Sequence, residues 1–390
     1  MAPIKTLVLA GLTTLVSESV AVKLLATHFS GTVYTLDFDG KSTTKITSQT
    51  KGCGVTPTWL HLDSSSNTAY CFDESWMGSG VLSQYTLDSQ AALKLQASAR
   101  TAGNTVHGST YGGTDGKGFI ATVEYSPSTL TTYKLPITSN TKALQTRTFT
   151  QAKPGPRPDR QEKPHPHSAF TDPTGNFLLV PDLGADLTRI FRINQNTGAL
   201  SDCPAISSNP GDGPRHGVFN KIGDSWKYYS LNEVSSSVGV YDVKLPVSSN
   251  ECLSLTLVQT VGNYGPNVPI GNATVKSAEI RIAGSYLYAS NRNDSHFGKE
   301  QDSIAQFKIG ADGKLAFVEL ANSYSYYPRS FVINKAGNLV AIGGQTTSNV
   351  VIVKRDTETG KLGPLVSKVD VGSRGTYGGE DGLSSVTWVE

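Results

Sequence analysis

Residues 167–202 read HSAFTDPTGNFLLVPDLGADLTRIFRINQNTGALSD. The first half is a strand, a polar turn (DPTGN) and a second strand, with period-2 alternation in NFLLVPD. The second half, LTRIFRINQNTGALSD, is again strand, turn, strand, with an aromatic residue in its first strand. Two hairpins in succession make one four-stranded antiparallel sheet. The second hairpin recurs as GTVYTLDFDGKSTTKI, VLSQYTLDSQAALKLQ, STLTTYKLPITSNTKALQ, SVGVYDVKLPVSSNECLSL, SIAQFKIGADGKLAFV and NVVIVKRDTETGKLGPL. Its aligned positions are Tyr34, Tyr85, Tyr133, Phe191, Tyr241, Phe307 and Val353, spaced 46 to 66 residues apart. The first hairpin recurs between them, as in PTWLHLDSSSNTAYCFDE, HGVFNKIGDSWKYYSLNE, SAEIRIAGSYLYASNR and SFVINKAGNLVAIGGQ. A four-stranded sheet repeated seven times predicts an all-β, seven-bladed propeller, because radial repetition leaves only short, protected edges.

The ends fit a closed ring. Residues 383–389 resemble the first strand of a repeat and residues 22–29 the second. Pairing them completes one blade from both termini, so residues 22–390 are expected to form one domain. No long window carries helical periodicity. The Pro-rich stretch 152–166, AKPGPRPDRQEKPHP, is expected to be a surface loop with Arg157, Arg160 and Lys163 solvated. Asp37-Phe-Asp39-Gly40 lacks the rest of a calcium-loop pattern and reads as a turn.

Composition narrows the partners. The 34 basic and 32 acidic side chains nearly cancel, so no basic stripe argues for nucleic acid. Hydrophobic residues are 37 % of the chain, too many for a mostly disordered polymer, and no segment has the length of a membrane helix. The N-terminus is basic over residues 1–5, apolar over 6–16 and small-x-small at Ser19-Val20-Ala21. That three-part pattern predicts a secretory signal over residues 1–21 and a secreted, extracellular protein. Four cysteines, Cys53, Cys71, Cys203 and Cys252, suit export. Proximity suggests pairing Cys53 with Cys71 and Cys203 with Cys252, although four cysteines allow three connectivities. Asn272-Ala-Thr and Asn293-Asp-Ser are glycosylation sequons, so N-glycans are expected there.

Polar residues recur at the ends of the inner apolar strands: His107, His167, Arg215, Glu233, Arg292 and Arg329. Different polar residues at one repeated place suggest a site built at one mouth of the channel. His165-Pro-His167 offers two imidazoles but no third ligand at a supporting spacing, so no metal is assigned. No GxSxG, P-loop or GxGxxG occurs, which argues against a serine elbow and against phosphate-cradling or dinucleotide modes.

At these motifs the chain resembles the seven-bladed propeller lactonases, which include 6-phosphogluconolactonases and carboxy-cis,cis-muconate cyclases. The likeness is strongest in PHPHSAFTDPTGNFLLVPDLGAD, NPGDGPRHGVFN, SLNEVSSSVGVYDV, AEIRIAGSYLYASNRND and YYPRSFVINKAGNLVAIGGQTTSNVVIV. It implies a catalytic set of His167 (in HSAFTDP), Arg215 (GDGPR), Glu233 (SLNE) and Arg292 (ASNR). His107, His165, His216, Arg329 and Gln345 are the expected substrate-binding residues around them. With the export signal, the resemblance implies a secreted aldonolactonase acting on a sugar lactone; a monomer is expected, no cofactor is required, and a divalent cation in the channel stays open. In the expected mechanism the arginines hold the oxyanion and His167, titrating near working pH, activates water. Glu233 would orient His167 or protonate the leaving oxygen. Two alternatives stay open: a muconate-type lactonising cycloisomerase, and a propeller that only binds.

Overall fold

The computed structural model describes residues 22–248, 250–266 and 275–390; the expected signal over residues 1–21 and the sequon at Asn272 lie outside them. The described residues form seven four-stranded antiparallel sheets arranged as the blades of a propeller. Blade 1 takes its inner strand from Leu383–Val389 and its next three from Val22–His28, Thr32–Phe38 and Thr44–Thr50. The terminal strand pairs antiparallel with the first one, which closes the ring as the sequence predicts. The inner strands of blades 2 to 7 are Pro57–Asp63, Thr105–Tyr111, Phe170–Thr171, Pro214–Ile222, Lys276–Ala283 and Pro328–Ile333.

Burial explains the pattern. Each apolar cluster draws on two adjacent blades, so both faces of the middle strands are covered. Phe177–Asp182, the second strand of blade 4, is therefore buried along its whole length and reads as an apolar run. The outer strands face water instead, as in Leu200–Ser207, where Leu200 is buried, Cys203 and Ile206 are half-buried and the rest is exposed. The recurring third-strand residues Tyr85, Tyr133, Phe191, Tyr241, Phe307 and Val353 all lie in these interfaces. The strand ends at Phe38, and Asp39 Oδ1 accepts from the amides of Lys41, Ser42 and Thr43, so the Asp37–Gly40 segment closes a strand and opens a turn at Asp39.

Both suggested disulfides form. Cys53–Cys71 ties the connection between blades 1 and 2 to the second strand of blade 2. Cys203–Cys252 joins the outer strand of blade 4 to the loop before the outer strand of blade 5. The second bond closes a separation of 49 residues. Replacing both of its cysteines with serine is expected to cost about 2–4 kcal/mol of stability. A lowered unfolding midpoint against the parent checks this; coincident midpoints would refute it.

Candidate active site

One structural device recurs at the same mouth of every blade. The inner strand begins with one paired residue, or two in blade 6, and then breaks register: after Pro57, Thr105, Pro214, Ser277 and Pro328, with an equivalent shift at Leu383. In blade 4, Pro166 makes an isolated bridge to Asp182 and His167 follows it. A bulge re-aims the residue it inserts. The residues at this place include Thr58 in blade 2, His167 in blade 4, Arg215 in blade 5 and Arg329 in blade 7. Opposite them, one residue past the partners Asp73, Asn232 and Gly344 of the second strand, stand Glu74, Glu233 and Gln345. Arg292, one past Asn291, takes this place in blade 6. Proline suits the first position because a strand start needs no amide donor there.

These two positions frame a cavity of about 370 Å³. His165, His167, Glu233, Arg292 and Arg329 line it, as the sequence suggests. Glu233 is its ionic centre. Its Oε1 accepts from Arg160 Nη2 at 2.6 Å, and its Oε2 lies 2.9 Å from both Arg215 Nε and Arg292 Nη2. Arg292 Nη2 also donates to Ser277 O at 2.9 Å. Arg215 Nε is buried without an aligned hydrogen bond, so its contact with Glu233 is ionic rather than directional, and Arg292, which meets Glu233 through Nη2, has its Nε buried without a hydrogen bond. Burial pushes the Glu233 carboxyl up, but Arg292, Arg160 and Arg215 overcome it and hold it well below the usual range. Three guanidiniums share one carboxylate, so the cluster carries a surplus of positive charge facing a cavity. A carboxylate held this way is not a proton donor, which corrects the expected acid role of Glu233.

His167 is the opposite case. Its ring makes no hydrogen bond among the described residues: Nδ1 is buried without a partner, and the residue faces the cavity. Burial first, then the charge of Arg215, drives its pKa well below the ordinary value. The expectation of titration near working pH is therefore corrected: the imidazole is neutral throughout the neutral range. Glu233 does not hydrogen-bond it and so does not orient it.

The other expected residues divide. Arg329 crosses the mouth, with Nη2 donating to Glu74 Oε2 at 2.8 Å and to Thr58 Oγ1 at 3.2 Å, and Nη1 to Glu380 Oε2 at 3.3 Å. His165 is on the wall, but both ring nitrogens are engaged, by Tyr125 O and by Glu162 Oε1, each at 3.0 Å. It stacks on Tyr125 with centroids 4.0 Å apart. Arg215, His107 and His216 lie beneath the cavity rather than on its wall. Arg215 Nη1 donates to Ala278 O and to His216 Nε2, so His216 carries its proton on Nδ1 and donates it to Glu279. Burial lowers His216 to about 4. Glu279, pushed up by burial but pulled down further by Arg281 and His216, ends at about 2. His107 packs between Trp59 and His216, with ring centroids 4.5 and 5.2 Å away. Gln345 stands behind the wall, where its Nε2 donates to Gly379 O and props the loop that carries Glu380. Asn293, the other sequon, is half-buried, with its amide between the hydroxyls of Tyr326 and Tyr377.

Two further members escape the sequence reading. Arg160 belongs to the Pro-rich loop and was expected in solvent. Gln161 is buried and donates to Leu183 O and Asp186 Oδ1, which pins that loop across the mouth and delivers Arg160 to Glu233. No local signal announces this. Glu74 occupies in blade 2 the place of Glu233 in blade 5, so aligning the repeats at second-strand ends would have found it. Among the described residues no group of three or more His, Cys, Asp or Glu side chains is placed to hold a metal ion.

Comparison with known proteins agrees with this architecture. Residues 21–377 match the family described as "Lactonase, 7-bladed beta-propeller". A protein of Arthroderma benhamiae named "Probable 6-phosphogluconolactonase" is 30 % identical over 85 % of this chain and 82 % of its own length. A 6-phosphogluconolactonase of Formosa agariphila is 31 % identical over 65 % of this chain and 68 % of its own. The solved periplasmic gluconolactonase of Pseudomonas aeruginosa superposes with a TM-score of 0.78 at 22 % identity, covering 95 % of this chain and 99 % of that one. By sequence match and by fold, the chain belongs to the seven-bladed β-propeller lactonase family.

Proposed function

We propose that the chain is a secreted lactone hydrolase that opens aldono-lactones of the glucono-δ-lactone or cellobionolactone type to aldonic acids. The carrying observation is the arrangement on one cavity wall: a cluster of guanidiniums with surplus positive charge beside a neutral, unpartnered imidazole. Ester hydrolysis develops negative charge on the carbonyl oxygen and releases a carboxylate. Arg292 and Arg160, held by Glu233, suit both anions, with Arg215 supporting Glu233 from below. His167, neutral and free, accepts a proton from water as the water oxygen bonds to the carbonyl carbon. The carbon–ring-oxygen bond then breaks and the ring oxygen takes a proton. Trp76 at the rim is 52 % exposed and offers an apolar face to a second sugar ring. Both disulfides and the signal-like N-terminus support work outside the cell.

A second reading has its own observation. Lys163 and Lys276 also line the cavity and suit a phosphate, and the relatives' names include phosphorylated gluconolactone. The lactonising, muconate-type alternative draws no support from the relatives. The test is acid release from glucono-δ-lactone above spontaneous hydrolysis, with the 6-phospho-lactone alongside. Arg292→Ala is expected to lower kcat/KM by about a hundredfold. Turnover confined to the phosphorylated lactone would favour the second reading; turnover of neither would refute the proposal.

A further inference from the structure

The leaving ring oxygen needs a proton, and Glu233 has none to give. Five carboxyl groups line the cavity: Glu74, Asp159, Glu162, Glu233 and Glu380. Asp159 is tied to Arg157 and Glu162 to His165, while Glu380 is 40 % exposed on its loop beside Arg329. Glu74 differs from all of them. It is 3 % exposed, and Thr58 Oγ1 donates to its Oε2 at 2.6 Å and Arg329 Nη2 at 2.8 Å. Its Oε1 has no partner among the described residues, and the residue faces the cavity. One oxygen is thus fixed and the other is free for a ligand. Glu74 stands two blades from His167, so the two groups reach the cavity from different sides.

We propose that Glu74 is the catalytic general acid that protonates the leaving ring oxygen; this rests on the lactonase reading above. The water oxygen bonds to the carbonyl carbon while its proton passes to His167. The carbon–ring-oxygen bond breaks, its electron pair stays on oxygen, and the Glu74 carboxyl proton moves there. The Glu74 carboxylate and the His167 imidazolium then reset through solvent. Burial supports the role, raising Glu74 to about 7. Arg329, Arg215 and the Thr58 hydroxyl oppose that rise, and Glu380 reinforces it.

Glu74→Gln keeps the shape and an acceptor for Thr58 and Arg329 but has no proton to transfer. It is expected to lower kcat on the accepted lactone about a hundredfold or more while the Kd for the product aldonate, measured by calorimetry, changes less than about threefold. The alkaline fall of kcat/KM, which reports loss of the acid's proton, should disappear with it. Thr58→Val removes a hydrogen bond that favours the ionised carboxyl, so in that variant the alkaline fall should move to higher pH. A Glu74→Gln enzyme with kcat within about threefold of the parent and an intact alkaline limb would overturn the assignment. If Glu74→Gln does not fold, an unmoved limb in Thr58→Val overturns it equally. A parent protein inactive on every lactone would instead remove the lactonase reading and this role with it.

Discussion

Glu233→Gln is expected to destabilise the folded protein by about 3–5 kcal/mol and to remove activity, the largest stability effect of any single substitution in the site. Arg215 and Arg292 are buried, and Glu233 is the carboxylate both of them meet. A glutamine leaves these charges without a counterion, and its amide hydrogens face a guanidinium. Breaking one side of a buried pair costs far more than the pair contributes when intact, because the remaining charges stay out of water. The measurement is the urea unfolding midpoint of the variant and the parent, with and without an added aldonate. The variant should unfold at lower urea, and the anion should restore part of the difference by supplying the missing negative charge. Coincident midpoints without the anion would show that the arginines do not depend on Glu233.

His167→Gln should do the reverse, losing turnover while keeping the fold. Removing a general base typically costs 10²–10⁴-fold in rate, and about that loss in kcat is expected here. Folding should survive because the imidazole makes no hydrogen bond whose loss would strand a partner. The pH profile carries the sharper test. A base whose pKa is depressed stays deprotonated, and so competent, as pH falls. Parent kcat/KM should therefore persist as the pH is lowered through 6.5 and fall only below it, since burial and Arg215 keep the ring neutral. An acid limb centred at 6.5, or a His167→Gln enzyme with near-parent kcat, would remove His167 from the role.

Much of the site was legible because the repeat is legible. His167, Arg215, Glu233 and Arg292 stand at strand ends that the hairpin pattern locates, and three of the four line the cavity. Their roles were less legible. Nothing in a strand-end glutamate says that three guanidiniums will surround it and hold its proton off. Nothing in a strand-end histidine says that its ring nitrogens will find no partner. His107 and His216 stand one residue further along their inner strands than Val106 and Arg215 and pair with Val123 and Leu231, so they pack away from the cavity wall, while Gln345 follows the end of a second strand and props the Glu380 loop.

The amino-acid sequence by itself determined the seven-bladed ring, its closure through both termini and the lactonase kinship. Period-2 alternation and turn chemistry are local, and a repeat multiplies a local signal seven times. Only the tertiary structure decided the protonation states and the full membership of the site. Arg160 arrives from a loop anchored by Gln161, and Glu74 is set by an arginine five blades further along the chain. A pKa depends on burial and on charges close in space, and those distances exist only once the ring has closed.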